Sequence, residues 1–516
     1  VGLGMKKICL IVARSIFLLD ERVFPFLGIL RCAASWERDG AKVDVIDLSG
    51  VENYLEVLEE YFDQNKDIEF AGVTATTPQM KNAYEIGKLI KEKYGHKTVI
   101  GGSHATLMHT SMKQEIKRGD LEGRAKKDID YIKKYFDVIV CGDGELVLEA
   151  IREIDNGVID VDDRFSPYFM SKETFSELPN PARHLIDMDS YKYTIDGVSA
   201  TSMISQLGCP YQCTFCSGRN SPYLRMVRQR SVGSVIEEIE LLHKTYGYKA
   251  FNFFDDELNL TKSFVPLMNG LSDLQAKLGV DFKFRGFTKS ELFTKEQAKA
   301  MKAAGFSILL TGFESGDDRI LKNIRKRATR DDNTRCVENA KEAGLKVKAL
   351  MSCGHAGETP ETIENTKKWL LEVEPEDFDL TVISVFPGSP YFDSALYSKE
   401  DDCYIYTQPD TGDKLYQKIV DYTQEANFYK GIPGEYVSYV WTDFMTAEEI
   451  VKTRDALESD VRAKLNIPFN PSGATRSIEH SMGSSRNLPD WILRSSGDYS
   501  APKREKKEEK RRLGIL

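Results

Sequence analysis

The sequence predicts an α/β protein of two units in series. A doubly wound, Rossmann-like parallel sheet comes first, then a partial (β/α)6 arrangement of TIM-barrel type, then a small, mainly helical C-terminal region. Three observations carry that prediction. Strand-like and helix-like segments alternate along the first part of the chain. A second alternating series begins after a proline-containing break. The 516 residues also give a soft prior of about three domains at ~150 residues each.

In the first series "KKICLIVA" reads as a strand, "FPFLGILRCAASWERDG" as an amphipathic helix ending at Gly40, and "KVDVIDL" as a second strand. "FAGVTAT" is a third strand, followed by the helix "MKNAYEIGKLIKEKYG" and the strand "KTVIGG". "FDVIVCGDGELVLEAI" then reads as strand, glycine turn and helix. Parallel strands need crossover helices, so this order implies a doubly wound sheet over residues 5–154, with "VGLG" ahead of Met5 set aside. Such sheets bind ligands at the carboxyl ends of their strands. Those ends carry "TATTPQ", "GGSHA" and "CGDGE", whose small residues let a large ligand approach the backbone.

Residues 155–195, with "ELPNPARHLIDMDSY", hold no sustained period and read as a bridge. The second series, over 196–395, consists of "TSMISQLG", "KAFNFFDDE", "FKFRGF", "SILLTGFESG", "KVKALMSCG" and "DLTVISVFPGS", with helical segments between them. Periodicity alone does not separate a barrel from a second doubly wound sheet, but six such units resemble a partial or complete barrel more closely. The aromatic-rich stretch from 396 to 470 ends in one well-marked helix, "TAEEIVKTRDALESDVRAKL", with a Thr cap and a Glu three residues later. Its Tyr and Trp residues either line a substrate pocket or pack that helix, and packing is the favoured reading. The basic tail 471–516 is expected to be mobile.

A chain that is 41% hydrophobic and 29% charged is a globular one, and no apolar run approaches the roughly 20 residues that a membrane helix requires. The net charge of −10 argues against general nucleic-acid binding. A cytoplasmic protein without membrane or nucleic-acid partners is the expectation. Nine cysteines, an odd number in a long chain without a signal peptide, argue against a disulfide framework.

The cysteines of "GCPYQCTFCSG" therefore stand out. Cys209, Cys213 and Cys216 follow the first strand of the second series, at the end where barrel chemistry sits. A structural zinc site needs four protein ligands, and no second half is nearby. Cys141 belongs to the first unit, and Cys336 and Cys353 read as buried small hydrophobes. A four-iron cluster held by three thiolates, by contrast, leaves one iron open.

This CxxxCxΦC pattern resembles that of the radical S-adenosylmethionine enzymes, and "FFDDE", "GFESGDDRIL", "GHAGETPETIENT" and "VFPGSPYFD" stand where that family carries its strand-end segments. The first unit, with "VFPFLGILRCAA", "VIGGSHAT" and "DVIVCGDGE", resembles the cobalamin-binding domain of one branch, the class B methyltransferase-like enzymes. The resemblance covers residues 5 to about 395. It implies a [4Fe-4S] cluster on the three cysteines and S-adenosylmethionine on the open iron, cleaved reductively to a 5′-deoxyadenosyl radical. It also implies cobalamin as methyl donor and an external one-electron reductant such as flavodoxin or ferredoxin.

The resemblance points, for S-adenosylmethionine, to Phe215, Asp255, Asp256, Glu257, Arg285, Glu314, Ser315, Gly354 and Gly357, with Glu358 beside them. Each has a plainer reading. The acids suit a solvated strand end, Arg285 a surface position, "FESG" a turn with Gly316 at positive φ, and Thr359-Pro360 a helix start. For cobalamin it points to Thr76, Thr77, Gly101, Gly102, Ser103, His104, Gly142, Gly144 and Glu145. His104 lies outside the D-x-H-x-x-G pattern of proteins that ligate cobalt through histidine, which the radical branch commonly lacks.

The function expected is methylation of an unactivated carbon, or of a phosphinate phosphorus, in a small biosynthetic intermediate by an oxygen-sensitive enzyme. Two alternatives stay open: cobalamin-dependent ring closure, contraction or oxidative cyclisation without methyl transfer, and a non-catalytic cobalamin- or metal-sensing module.

Overall fold

The computed structural model describes residues 7–15, 22–425 and 437–468; the basic tail lies outside them. Six strands form the first sheet: β1 (Lys7–Val12), β2 (Lys42–Asp47), β3 (Ile68–Thr74), β4 (Thr98–Gly101), β5 (Val138–Cys141) and β6 (Gly157–Asp160). They are all parallel, in the order β2-β1-β3-β4-β5-β6. β6 comes from the segment read as a bridge, so the sheet runs past residue 154. Chain order reverses between β1 and β3, which opens the crevice where doubly wound sheets take ligands. Alternation along β1 feeds both faces: Cys9 and Ile11 join a core with Phe62, Ile100 and Ile139, while Ile8 and Leu10 join one with Trp36, Val45 and Phe70.

The second part holds β7 (Thr194–Ile195), β8 (Val198–Met203), β9 (Gln206–Leu207), β10 (Arg228–Gln229), β11 (Ala250–Phe253), β12 (Lys283–Arg285), β13 (Phe287–Thr288), β14 (Ile308–Glu314), β15 (Lys346–Cys353) and β16 (Asp377–Val382). β8, β11 and β12 run parallel in chain order, as do β13 to β16, while β7 closes a hairpin on β8. Only Gly286 separates β12 from β13, and the bridge from Phe284 to Phe306 spans the break. A side chain at 286 would meet Leu258 Cδ1 at 2.3 Å and displace that leucine. Phe251, Phe253, Phe282, Phe284 and Phe306 are buried with Ile239, Leu242 and Leu271 from the helices Val232–Tyr246 and Phe264–Leu278. Such fully buried rings dominate the energetics of this layer.

The C-terminal region corrects the expectation of a mainly helical fold. β17 (Leu396–Ser398), β18 (Cys403–Thr407), β19 (Lys414–Gln417) and β20 (Val440–Thr442) make a four-stranded antiparallel sheet ahead of the helix Ala447–Leu465. The reason lies in cross-strand pairs. Tyr416 faces Trp441 with rings stacked 5.7 Å apart, while Tyr406, Leu415 and Val440 are buried. The helix has the expected cap, Thr446 with Glu449.

The carboxyl end of the first sheet meets the second part through polar contacts, one of them to β10. Arg228, only 1% exposed, pairs with Asp143 of the loop after β5. Removing one partner of a buried pair strands the other charge, so Asp143→Ala is expected to cost about 3–5 kcal/mol in urea unfolding. Adding Arg228→Met to it should restore most of the loss; a double variant no more stable than the single one would show that the pair does not hold this interface.

Candidate active site

Residues 208–221 carry the three cysteines and contain no helix or strand, so their backbone must be anchored from outside. Cys209 N–H donates to Leu224 O (2.9 Å), Thr214 N–H to Ile324 O (3.0 Å) and Gly218 N–H to Gly388 O (2.9 Å). Within the loop Cys216 N–H donates to Cys213 O (3.1 Å). Gly208, at φ +92°, lies where any Cβ would sit 2.1 Å from Met226 O. Arg219 runs through the loop, its Nη1 donating to the carbonyls of Cys209 (2.8 Å) and Tyr211 (3.1 Å). Burial pushes the Cys216 thiol up to about 12, against the pull of Arg219 and with Cys213 and Cys209 adding to the rise. Cys216 thus feels both of the other sulfurs. Among the described residues, however, no three His, Cys, Asp or Glu converge on a point that would hold a single metal ion.

The acids after β11 divide. Asp255 accepts from Ser205 N–H (2.7 Å) and its hydroxyl, and Asp256 accepts from Gly208 N–H (2.7 Å), so both pin the approach to Cys209. Burial raises Asp255 to about 7 in spite of those hydrogen bonds. Glu257 also rises to about 7 through burial, against Lys326 and Lys289, and its buried Oε2 has no hydrogen-bond partner. Arg285 is buried rather than at the surface, its guanidinium reaching Tyr193 Oη (3.2 Å) and Asp196 (3.4 Å) beside the β7–β8 hairpin.

The ends of β14 and β15 form a connected polar wall. Glu314 itself holds the positive φ of its turn (+67°), while Gly316 is needed for space, 2.6 Å from Trp369 Cβ on adding a side chain. Glu314 takes Lys326 Nζ (3.1 Å) and the Ser352 hydroxyl (2.8 Å). Ser352 continues to His355 Nε2 (2.8 Å), and His355 Nδ1 to Tyr391 Oη (3.3 Å). Phe215 packs on Ile320, Leu321 and Ile324, with its ring 5.4 Å from that of His355. Ser315 turns inward to Thr366 (3.1 Å). Glu358 accepts from Gly354 N–H (2.9 Å) and His355 N–H (3.2 Å), while Gly354 (φ +85°) and Gly357 (φ +84°) shape the turn.

At the first sheet's edge, Thr76 closes a capping box with Gln79, and Gln79 Nε2 reaches Ala13 O (2.5 Å) across the crevice. His104 is fully buried, its ring nitrogens 3.0 Å from Thr77 Oγ1 and 3.0 Å from Asp128 Oδ2. Both nitrogens are therefore engaged within the protein. Gly102, Gly142 and Gly144 each abut their own neighbours, Ala75, Asp162 and Cys32, within 3 Å of an added Cβ. Glu145 is buried against Arg31 (3.2 Å). Thr76, Gly101, Gly102, Gly142 and Gly144 remain partly accessible and Ser103 exposed.

Sequence reading missed Arg219, Lys289, Lys326 and His355. Lys289 is buried, 4.1 Å from the Tyr211 ring centroid, and its ammonium donates to Lys326 O (2.9 Å). Lys326 stands in the middle of "RKR". The signal was its position after "GFESGDDRIL", and the two positive φ values that flank Lys326, at Arg325 and Arg327, turn it inward.

Residues 203–370 match the model of the Radical SAM superfamily and are a radical SAM domain. An uncharacterized methyltransferase of Pyrococcus horikoshii is 29% identical over 334 residues, 64% of this chain and 70% of that protein. The anaerobic magnesium-protoporphyrin IX monomethyl ester cyclase of Rubrivivax gelatinosus is 25% identical, over 70% of this chain and 64% of its own length. In fold, the chain superposes with a TM-score of 0.60 on the radical S-adenosylmethionine methyltransferase TsrM of Kitasatospora setae, solved with cobalamin and a [4Fe-4S] cluster, covering 99% of this chain and 96% of that one at 16% identity.

Burial holds His355 neutral, with its protonation lowered to about 4 although Glu314 pulls it upward. An unfolded histidine titrates near 6.5, so the fold forgoes a proton between those values and loses stability as pH falls through them. His355→Phe is free of that loss. From pH 7 to pH 5 the variant should gain about 2 kcal/mol relative to wild type in urea unfolding; a constant difference would show that the fold leaves the proton affinity of His355 unchanged.

Proposed function

We propose that this radical S-adenosylmethionine enzyme binds a [4Fe-4S] cluster at Cys209, Cys213 and Cys216, cobalamin on its first sheet, and methylates an unactivated carbon or a phosphinate phosphorus of a small biosynthetic intermediate. The observation that carries the reading is the cysteine loop: three thiols closely spaced on one anchored segment inside the radical SAM domain. Burial holds the Cys209 and Cys216 thiols up, and such thiols ionise when a metal centre compensates them; a cluster spreads its ligand sulfurs more widely than a single ion does. The residues present fit that group.

When bound, the cluster supplies the electron that splits the sulfonium of S-adenosylmethionine, and cobalamin supplies the methyl group. The protein's part is to hold, orient and exclude water. Glu314 and Lys326 present an acceptor and a cation side by side, a match for the amino and carboxylate groups of an amino acid. Glu257, with a buried oxygen lacking a partner, offers a further acceptor. Phe215, packed on Ile320, Leu321 and Ile324, gives that side an apolar face. We read β8 and β11 to β16 as the partial barrel, the first sheet through β6 (residues 5–160) as the cofactor unit, 161–195 as bridge and 396–470 as a region covering the barrel. Cobalamin would lie along Thr76, Gly101, Gly102, Ser103, Gly142 and Gly144, where the edge is accessible. With both His104 nitrogens engaged, its lower face would meet no imidazole from that residue.

The electron would come from an external donor such as flavodoxin or ferredoxin, in the cytoplasm. No helix among the described residues is long and apolar enough to cross a membrane. The similarity to a cyclase over 70% of the chain favours, as a second reading, radical ring closure without methyl transfer.

Anaerobic reconstitution with iron, sulfide and hydroxocobalamin is expected to leave about four irons and one cobalt per chain. Reduction with S-adenosylmethionine should then release 5′-deoxyadenosine. Cys213→Ala should abolish both iron retention and cleavage while cobalt stays. A product heavier than substrate by one methylene supports methylation, and one lighter by hydrogen supports ring closure. Iron without cobalt overturns the methyltransferase reading, and neither metal leaves a binding module.

A further inference from the structure

Two buried aspartates join the first sheet to the far end of the cysteine loop. Asp162, just past β6, accepts at Oδ1 from the Ser221 hydroxyl (2.8 Å) and Tyr223 N–H (3.0 Å), and at Oδ2 from the Thr110 hydroxyl (2.9 Å). Asp393, beyond β16, accepts at Oδ1 from the Ser111 hydroxyl (2.5 Å) and at Oδ2 from Asn220 Nδ2 (2.6 Å). The bridges are in step: adjacent residues 110 and 111 of the helix Ser103–Lys117 reach adjacent residues 220 and 221 of the loop. Ser111 Oγ also accepts from Gly388 N–H (3.1 Å), whose carbonyl takes the N–H groups of Gly218 (2.9 Å) and Arg219 (3.3 Å). Asp162 is fully buried and Asp393 is 4% exposed. That helix begins at Gly102-Ser103, on the edge where the first sheet offers its accessible small residues.

We infer that Asp162 and Asp393 are positioning residues that set the place of the cluster-bearing loop from the helix Ser103–Lys117, so that the loop's geometry is governed by the first sheet as well as by the strands that carry it. The other backbone ties of 218–221 are local or lead back to this helix: Gly218 and Arg219 donate to Gly388, itself held by Ser111, while Ser221 pairs with Gly218 and with Arg225 of the following turn. A structural cement between the sheets would need only burial. Two acids that each accept from both sides also fix register, because a slip of one residue along the helix breaks both.

The test uses the full chain with Thr110→Val and Ser111→Ala together, near-isosteric changes on the helix side that leave the aspartates and the loop in place. Asp162→Asn and Asp393→Asn, which keep one acceptor oxygen each, serve as second variants. Amide hydrogen exchange over 216–223 is expected to quicken about tenfold in Thr110→Val/Ser111→Ala, with β11 and β14 unchanged, and less in the Asn variants. The spectroscopic arm rests on the cluster reading: in reconstituted protein that keeps its iron, the paramagnetic resonance signal of the reduced cluster with S-adenosylmethionine should shift or broaden. Unchanged exchange over 216–223 overturns the inference whatever the iron content. Faster exchange with an unaltered signal also overturns it, since the bridges would then be cement. Faster exchange in a protein that takes up no iron sustains the positioning of the loop and overturns the proposed function instead.

Discussion

A loop that must carry three thiols cannot hydrogen-bond to itself as a helix or strand does. Residues 208–221 therefore depend on acceptors supplied by others: Leu224, Ile324, Gly388 and the carboxylates of Asp256, Asp162 and Asp393. These come from widely separated parts of the sequence. Much of what looks peculiar elsewhere serves that need, from positive φ at Gly208 and Gly388 to the inward turn around Lys326.

The same loop concentrates buried charge. Arg219, Lys289 and Lys326 are buried near Asp255, Glu257 and Glu314 at the ends of β8, β11 and β14, in surroundings that raise Asp255 and Glu257 and hold Lys326 charged beside Glu314. Buried groups of both signs cost stability unless each is answered. Here most are answered by backbone groups or by one another, which leaves the oxygen of Glu257 as a polar atom without a partner. Perturbed acids and bases gathered at strand ends are the mark of a site built for chemistry rather than for packing.

The elements that formed the sheets were legible because period and punctuation agreed: "KKICLIVA" became β1, and the six later segments became β8 and β11 to β16 with one split at Gly286. The cysteines were legible because their spacing is local. What escaped was long-range. β6 is four residues of weak pattern recruited by a waiting edge, and the C-terminal sheet is a set of cross-strand aromatic pairs whose partners lie far apart in sequence. Arg285 read as a surface charge because nothing near it in sequence announces Tyr193 and Asp196. Glu145 and His104, read as ligand contacts from their loops, each have a partner distant in sequence, Arg31 and Asp128.

The anchoring of the loop by Ile324 and Gly388 has a consequence for biosynthesis. When Cys216 leaves the ribosome, Ile324, Gly388 and Asp393, three of the residues that will anchor its loop, have not been made; the last of them, Asp393, follows 177 positions later. Contacts of such separation form late in folding. Until then the three thiols stand on a loop that lacks its later anchors. The order of synthesis itself thus gives this chain an interval in which those thiols are accessible, and packing of the segment beyond β16 ends it.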